Sequence, residues 1–368
     1  MQAGAALSLG GSTLALLGCT SDENNGSNGT SNGSGGSSEP KAGGVFRTVM
    51  QSTGNYIVVS NFAEGNQISG ITAYDRPITA NPNFELGYRL EAMENIELVE
   101  PTRVVMTLKP DMVYQNLAPV NGRAVVAEDI KLTQEYVTQL PSAQDSAFQR
   151  GFLDSVEAPD DRTVVLNLKT PSAYLFSAIY LANATSQAII PQELLSNLSE
   201  HTPVGSGPFQ LGNHSFNSEY NYTKFDKFRE AANGKPYFEG RQVLYLLDPV
   251  AQETSFRGGR THEWNPTGAQ MDRVSRELDQ SKFVLHEFDG TAIFGSNFMT
   301  NVSRGGPRPW NDVRVREAII RLTDREQIIA LALSGRASLT TGPIPLSLQA
   351  WQLTEAETAF FWREDVSE

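Results

Sequence analysis

Apolar positions recur with two different periods along this chain, and the changes of period mark its elements. Residues 94–109, IELVEP followed by TRVVMTLK, alternate well enough for a hairpin closed by Pro110-Asp111. A second strand, TVVLNL at 163–168, follows the turn Pro159-Asp160-Asp161-Arg162, and shorter strands are expected at Val45-Phe46-Arg47 and Phe209-Gln210-Leu211. Asn121-Gly122 reads as a tight turn. It leads to a helix whose first turn carries Glu128 and Asp129, where the dipole favours negative charge. Residues 174–181 read as an apolar helix, and Ile189-Ile190-Pro191 leads into another. The helical period is clearest at the far end. Asn311 or Asp312 can cap a helix opening at Val313, and Val315, Ala318, Ile319 and Leu322 give it one apolar face. Thr323-Asp324 caps a second helix through Ile328, Ile329 and Leu331 to Leu333. Gly335, tolerant of positive φ, ends it.

The first 42 residues have no such pattern of buried faces. Residues 1–18, MQAGAALSLGGSTLALLG, are small and apolar but too short to span a bilayer comfortably, which fits a secretory h-region. The usual basic n-region is missing, so the recorded start is expected to lie inside a longer signal. Leu16-Leu17-Gly18-Cys19 resembles a lipobox. That resemblance implies a lipid on Cys19, which would become the first residue of the mature chain; a buried or idle cysteine is the alternative. Residues 19–42 are rich in Gly, Ser and Asn and should form a flexible tether. The sequons at Asn25, Asn28 and Asn32 are expected to be by-products of that composition.

Composition narrows the chemistry. The chain has 368 residues, 39% of them hydrophobic, enough for one large domain or two ordinary ones. Its net charge of −13 argues against a nucleic-acid partner, because phosphate binding needs a basic face. One cysteine excludes a disulfide framework and a cysteine metal cluster. The four histidines are scattered, and His262-Glu263 lacks the second histidine of a zinc-protease motif, so neither metal nor cofactor is expected. No Ser/His/Asp set carries a supporting motif, which leaves a secreted hydrolase as a rival without residues to support it.

Three segments have distinctive wording. Residues 119–131 combine Pro119-Val120-Asn121-Gly122-Arg123 with Val126-Ala127-Glu128-Asp129-Ile130-Lys131. Residues 203–209 read Pro-Val-Gly-Ser-Gly-Pro-Phe, and residues 306–345 contain DVRVREAI, a following DR, and TGPIP. Together these resemble the family 5 extracellular solute-binding proteins, the peptide and oligopeptide receptors of ABC importers. The resemblance runs over about residues 43–345 and is weakest over 52–93, where only Tyr74-Asp75-Arg76-Pro77 stands for an early Asp-Pro stretch. Tyr114-Gln115-Asn116 replaces an aromatic-His-Asp or aromatic-His-Asn reading, and no chemistry is assigned there.

The resemblance implies an α/β, periplasmic-binding-protein-like fold of two lobes with mixed sheets. Residues 43–255 would form the first lobe, and 256–368 the hinge and the start of a second lobe that is incomplete here, as in a chain truncated at its C-terminus. A receptor of this kind needs no catalytic group. It needs a cleft with aromatic faces and a few polar anchors. By residue type and place in the family layout, Tyr56, Tyr74, Trp264, Phe298 and Trp310 are the aromatic candidates, and Ser206 and Asn297 the polar ones. Burial competes with ligand contact for each aromatic. The loop around Ser206 fits both a cleft wall offering backbone groups and a tight connection into the next strand. The implied function is capture of peptides by a monomer anchored outside the cell membrane through Cys19, with delivery to a permease. Other small solutes, such as a nickel chelate or a sugar, and a truncated product that binds nothing are alternatives.

Overall fold

The computed structural model describes residues 40–50, 72–80, 88–139, 146–172, 175–176, 181, 187–196, 198, 202–215, 218–266, 268–279, 281–285, 309, 312–339 and 354–358. The chain opens with β1 (Val45–Met50), β2 (Ile78–Ala80), β3 (Tyr88–Leu90), β4 (Met93–Glu100) and β5 (Arg103–Leu108). Next come α1 (Ala127–Gln139), α2 (Ser146–Phe152), β6 (Leu153–Glu157), β7 (Thr163–Leu168) and α3 (Gln192–Leu195). The strands β8 (Phe209–Ser215), β9 (Glu219–Lys224) and β10 (Gly240–Tyr245) follow. The last elements are α4 (Pro249–Arg257), α5 (Gly268–Glu277), α6 (Val313–Leu322), α7 (Arg325–Ala332) and α8 (Glu355–Thr358). All of them belong to one compact unit, Ala42–Glu368.

Two four-stranded sheets carry the architecture. The first has the order β4-β5-β7-β6 and is antiparallel throughout. It contains the expected hairpin, with Leu98 opposite Val104 and Met93 opposite Leu108. The second has the order β1-β10-β9-β8 and is mixed, because β1 runs parallel to β10 while the remaining pairs are antiparallel. A two-stranded ribbon, β2-β3, stands beside them.

The main core lies between the first sheet and α1, where Met93, Met106, Val164 and Leu166 meet Ile130, Val137 and Ile190. A second cluster, Phe209, Leu211, Tyr220, Tyr222, Val243 and Tyr245, covers one face of the mixed sheet. The expected turn at Asn121-Gly122 is present, with φ of 55° and 70° at its two residues, the left-handed pair that a tight reversal requires.

α1 starts where the sequence places it, but its first turn does more than complement a dipole. Asp129 accepts the free N–H of Val126 and also the N–H of Gln192 at the start of α3. Arg123 grips both Asp129 oxygens, at 2.8 and 2.7 Å, and both Glu193 oxygens, at 2.6 Å each. Its guanidinium also sits 5.0 Å from the centroid of the Tyr114 ring. The NGR turn, α1 and α3 are therefore clamped by one side chain.

At the other end, Asp324 caps α7 by accepting from Gln327 N at 2.8 Å, and Gly335 has a φ of +74° just past the helix. The start of α5 lies against the end of α7, where a Cβ on Gly268 would stand 2.8 Å from Leu333 O, and Arg336, just past α7, bonds Asp272 at 2.7 Å. The apolar faces expected of α6 and α7 are only partly covered: Val315, Ile319, Ile329 and Leu333 are half-buried, while Leu322 is 74% exposed and Leu331 79%. Thr261 to Trp264 form no strand. Instead His262 lies against β1, its N–H donating to Arg47 O and its Nδ1 accepting from Arg47 N at 2.9 Å. The expected helix at 174–181 lies largely outside the described residues, as do 1–18, Cys19 and most of the tether.

Candidate functional site

Two of the candidate residues, Tyr74 and Ser206, are brought together by backbone contact. The segment Thr72–Asp75 is buried, and the loop Gly205-Ser206-Gly207 lies directly on it. A Cβ on Gly205 would stand 2.0 Å from Ala73 O, and one on Gly207 would stand 2.7 Å from Ala73 C. Neither glycine has positive φ, so space rather than conformational freedom requires them. Gly207 N donates to Ala73 O at 2.9 Å.

Gln115, fully buried, locks this crossing. Its Nε2 donates to Ala73 O, Gly207 O and Phe209 O at 3.3, 3.4 and 3.0 Å, while its Oε1 accepts from Gly205 N at 3.2 Å. Its own N–H donates to Gly205 O at 2.8 Å. Sequence reasoning assigned this residue nothing. The available signal was that a glutamine, both donor and acceptor, replaces a titratable residue at that place.

Charge collects beside the crossing. Asp75 is fully buried and ion-paired with Arg229, whose guanidinium also covers the Phe228 ring at 4.5 Å. Burial raises the Asp75 carboxyl, opposed by the Arg229 charge and the hydrogen bond from Arg229. Glu91 bonds Arg76 at 2.9 Å, and its backbone carbonyl accepts from Lys109 Nζ at 2.8 Å. Burial, followed by the nearby Asp75 charge, pushes Glu91 up to about 7. The Tyr74 phenol is raised by burial as well, and stays neutral at physiological pH.

Glu91 gives a pH prediction with a definite sign. Its ordinary value is 4.5, so between that and about 7 the folded chain holds a proton that the unfolded chain has lost. Stability from this group is complete below 4.5 and falls as the pH rises towards 7. Glu91→Gln should flatten that fall by about 2–3 kcal/mol between pH 4.5 and 8. Urea melts of both proteins across that range measure the difference, and parallel curves would contradict it.

The remaining candidates are not gathered here. Trp264 is half-buried, tilted against Phe256 with ring centroids 5.7 Å apart, and its Nε1 is enclosed without a hydrogen-bond partner. Tyr56, Asn297, Phe298 and Trp310 lie outside the described residues. An open hollow of about 610 Å³ beside α4 is lined by Leu246, Asp248, Val250, Thr254, Ser255 and Arg260, among others, and by none of the candidates. Among the described residues no cluster of His, Cys, Asp and Glu could hold a metal ion, and no helix is long and apolar enough to cross a membrane.

The chain's relationships agree with this build. Residues 98–365 match the model of bacterial extracellular solute-binding proteins, family 5 (middle region), well over half of the chain. A Brucella ovis protein that carries the name of an ABC transporter peptide-binding protein is 26% identical over 222 residues, covering 59% of this chain and 40% of its own length. The oligopeptide-binding protein AppA of Bacillus subtilis is 23% identical over 245 residues, covering 63% of this chain and 41% of its own length. The chain thus spans about two fifths of the curated relatives it matches. Among solved structures, AppA of Bacillus subtilis in complex with a nonapeptide superposes with a TM-score of 0.64 at 16% identity, covering 88% of this chain and 64% of that one. AgaA of A. tumefaciens R10 in complex with agropinic acid gives 0.68 at 17% identity, covering 86% and 61%. The fold is that of the periplasmic binding proteins, with mixed α/β content. This chain belongs to the family 5 bacterial extracellular solute-binding proteins, a family that binds solutes and does not transform them.

Proposed function

We propose that this chain is the solute-capturing part of an ABC importer and that its ligands are peptides. The observation that carries the reading is the family match over residues 98–365, joined to relatives named for peptide and oligopeptide binding. A rigid first lobe suits the task. Gln115 ties the loop after β5 to the 72–75 segment and to the start of β8, and Arg123 holds the NGR turn, α1 and α3 together, which supports a firm wall for a ligand to meet. Closure of a second lobe over that wall would exclude water from the captured peptide and present the closed form to a permease. Tyr56, Tyr74, Trp264, Phe298 and Trp310, with Ser206 and Asn297, remain the proposed contacts. The lobe boundary proposed near residue 256 falls in the last turns of α4.

The protein works outside the cytoplasm in this reading, as a monomer held to the membrane by a lipid on Cys19 and separated from it by the 19–42 tether. Four tryptophans provide the assay. Titrating the full chain with mixed tri- to pentapeptides should change its fluorescence saturably at one ligand per chain, with the peptides recovered uncut. A flat titration, or steady hydrolysis of the peptides, would remove the reading. In membrane fractionation, Cys19→Ser should move the protein to the soluble fraction, and an unchanged distribution removes the lipid anchor alone.

A further inference from the structure

Arg241 is a cation on a strand whose neighbours are aromatic and aliphatic. In register it lies opposite Phe46 on β1 and opposite Tyr222 on β9. It therefore shares one face of the mixed sheet with Tyr222, Val243 and, two residues along β1 from Phe46, Thr48. Its guanidinium is only partly satisfied. Nη1 donates to Thr72 Oγ1 at 2.8 Å, whereas Nε is buried and makes no hydrogen bond. No carboxylate among the described residues lies within ion-pair distance of it, unlike Arg76, Arg123, Arg229 and Arg257. Thr48, only 2% exposed, likewise has an Oγ1 with no partner.

A guanidinium held in apolar surroundings without a carboxylate is costly, and proteins seldom leave one so. The edge formed by Nε and Nη2 is the one that grips a planar oxyanion through two parallel bonds. Thr72 occupies the other arm and so fixes the plane of the fork. Arg241 as a residue is half-buried, and the Nε end of that edge is enclosed. Burial lowers its affinity for its own proton, with Glu263 acting in opposition.

From this geometry we infer that Arg241, with the hydroxyls of Thr48 and Thr72, anchors a carboxylate of the captured solute. The inference rests on the receptor reading above, and the carboxylate has two sources in a peptide: its C-terminus or an acidic side chain.

Three tripeptides separate the sources: Ala-Ala-Ala-amide, Ala-Ala-Ala, and Ala-Glu-Ala-amide. Calorimetric titration of the full chain and of Arg241→Gln should show at least a tenfold loss for a carboxylate-bearing peptide and no change for Ala-Ala-Ala-amide. Which acidic peptide suffers names the source. Equal losses for all three, or none, would overturn the anchor while leaving peptide capture standing. Arg241→Lys keeps the charge and removes the fork. It should melt as the parent does and still lose the preference, which guards against a misfolded glutamine variant. Should no tripeptide bind the parent, peptide capture is in difficulty and succinate decides the anchor. A rise in melting temperature with succinate in the parent, absent in Arg241→Gln, supports it; no rise, or the same rise in both, overturns it.

Discussion

Gly205→Ala should cost the chain its native fold. The added methyl would stand 2.0 Å from Ala73 O and 2.9 Å from Tyr74 Cα, and both neighbours are backbone, with no side chain to swing aside. Relief requires the loop and the 72–75 segment to part by more than an ångström. That would break Gly207 N to Ala73 O, and with it the fan of bonds from Gln115. Each buried bond left unmade costs about 1–3 kcal/mol, so the total exceeds roughly 4 kcal/mol, a large share of any domain's stability. Gly212→Ala is the matched control. Its methyl would meet only Asn221 O, at 3.4 Å, on the exposed stretch of β8, and the melt should move by less than about 1 kcal/mol. Equal urea midpoints for the two variants would show that the crossing is looser than its geometry states.

Arg123→Met is the second change with a large expected effect. Asp129 has no exposed side-chain surface, and Glu193 is 30% exposed. Without the guanidinium, a buried carboxylate is left facing a second one, and removing one partner of a buried pair typically costs about 3–5 kcal/mol. The Tyr114 ring also loses the cation stacked on it. Arg123→Lys should recover only part of the loss, because one ammonium cannot grip two carboxylates at both oxygens. Adding Glu193→Gln to Arg123→Met should lessen the damage by removing one of the two stranded charges, and chemical denaturation of the four proteins forms a double-mutant cycle. Additive effects would mean that the clamp does not couple α1 to α3.

These two sites also mark the line between what could be read from the sequence and what could not. The β4-β5 hairpin, the Asn121-Gly122 turn and the Asp324 cap were legible because each is decided within a few residues, by alternation, by tolerance of positive φ, or by a side chain reaching its own helix N-terminus. The Gln115 crossing, the Asp75–Arg229 pair and the Arg241–Thr72 bond were not. Their partners are 94, 154 and 169 residues apart at the widest, and nothing in local periodicity reports such pairings. The loop at Ser206 was legible only as two readings. A Gly-x-Gly looks the same from the sequence whether a ligand or another backbone needs the space, and here Ala73 lies against both glycines. For α6 and α7 the periodicity located the helices correctly, but periodicity reports which face is apolar and not what covers it.

The parallel pairing of β1 with β10 has a consequence for the order of events as the chain emerges. Val45 must find Gly240, roughly 200 residues later, while the β4-β5-β7-β6 sheet is complete within residues 93–168. At about 5–20 residues per second, β1 waits on the order of 10–40 s for its partner to be made. Throughout that interval the first strand is an unpaired edge with an apolar face, the kind of segment that invites wrong partners. The sequence directly ahead of it is polar and rich in Gly and Ser, so it adds no apolar side-chain pattern onto which a wrong pairing could extend.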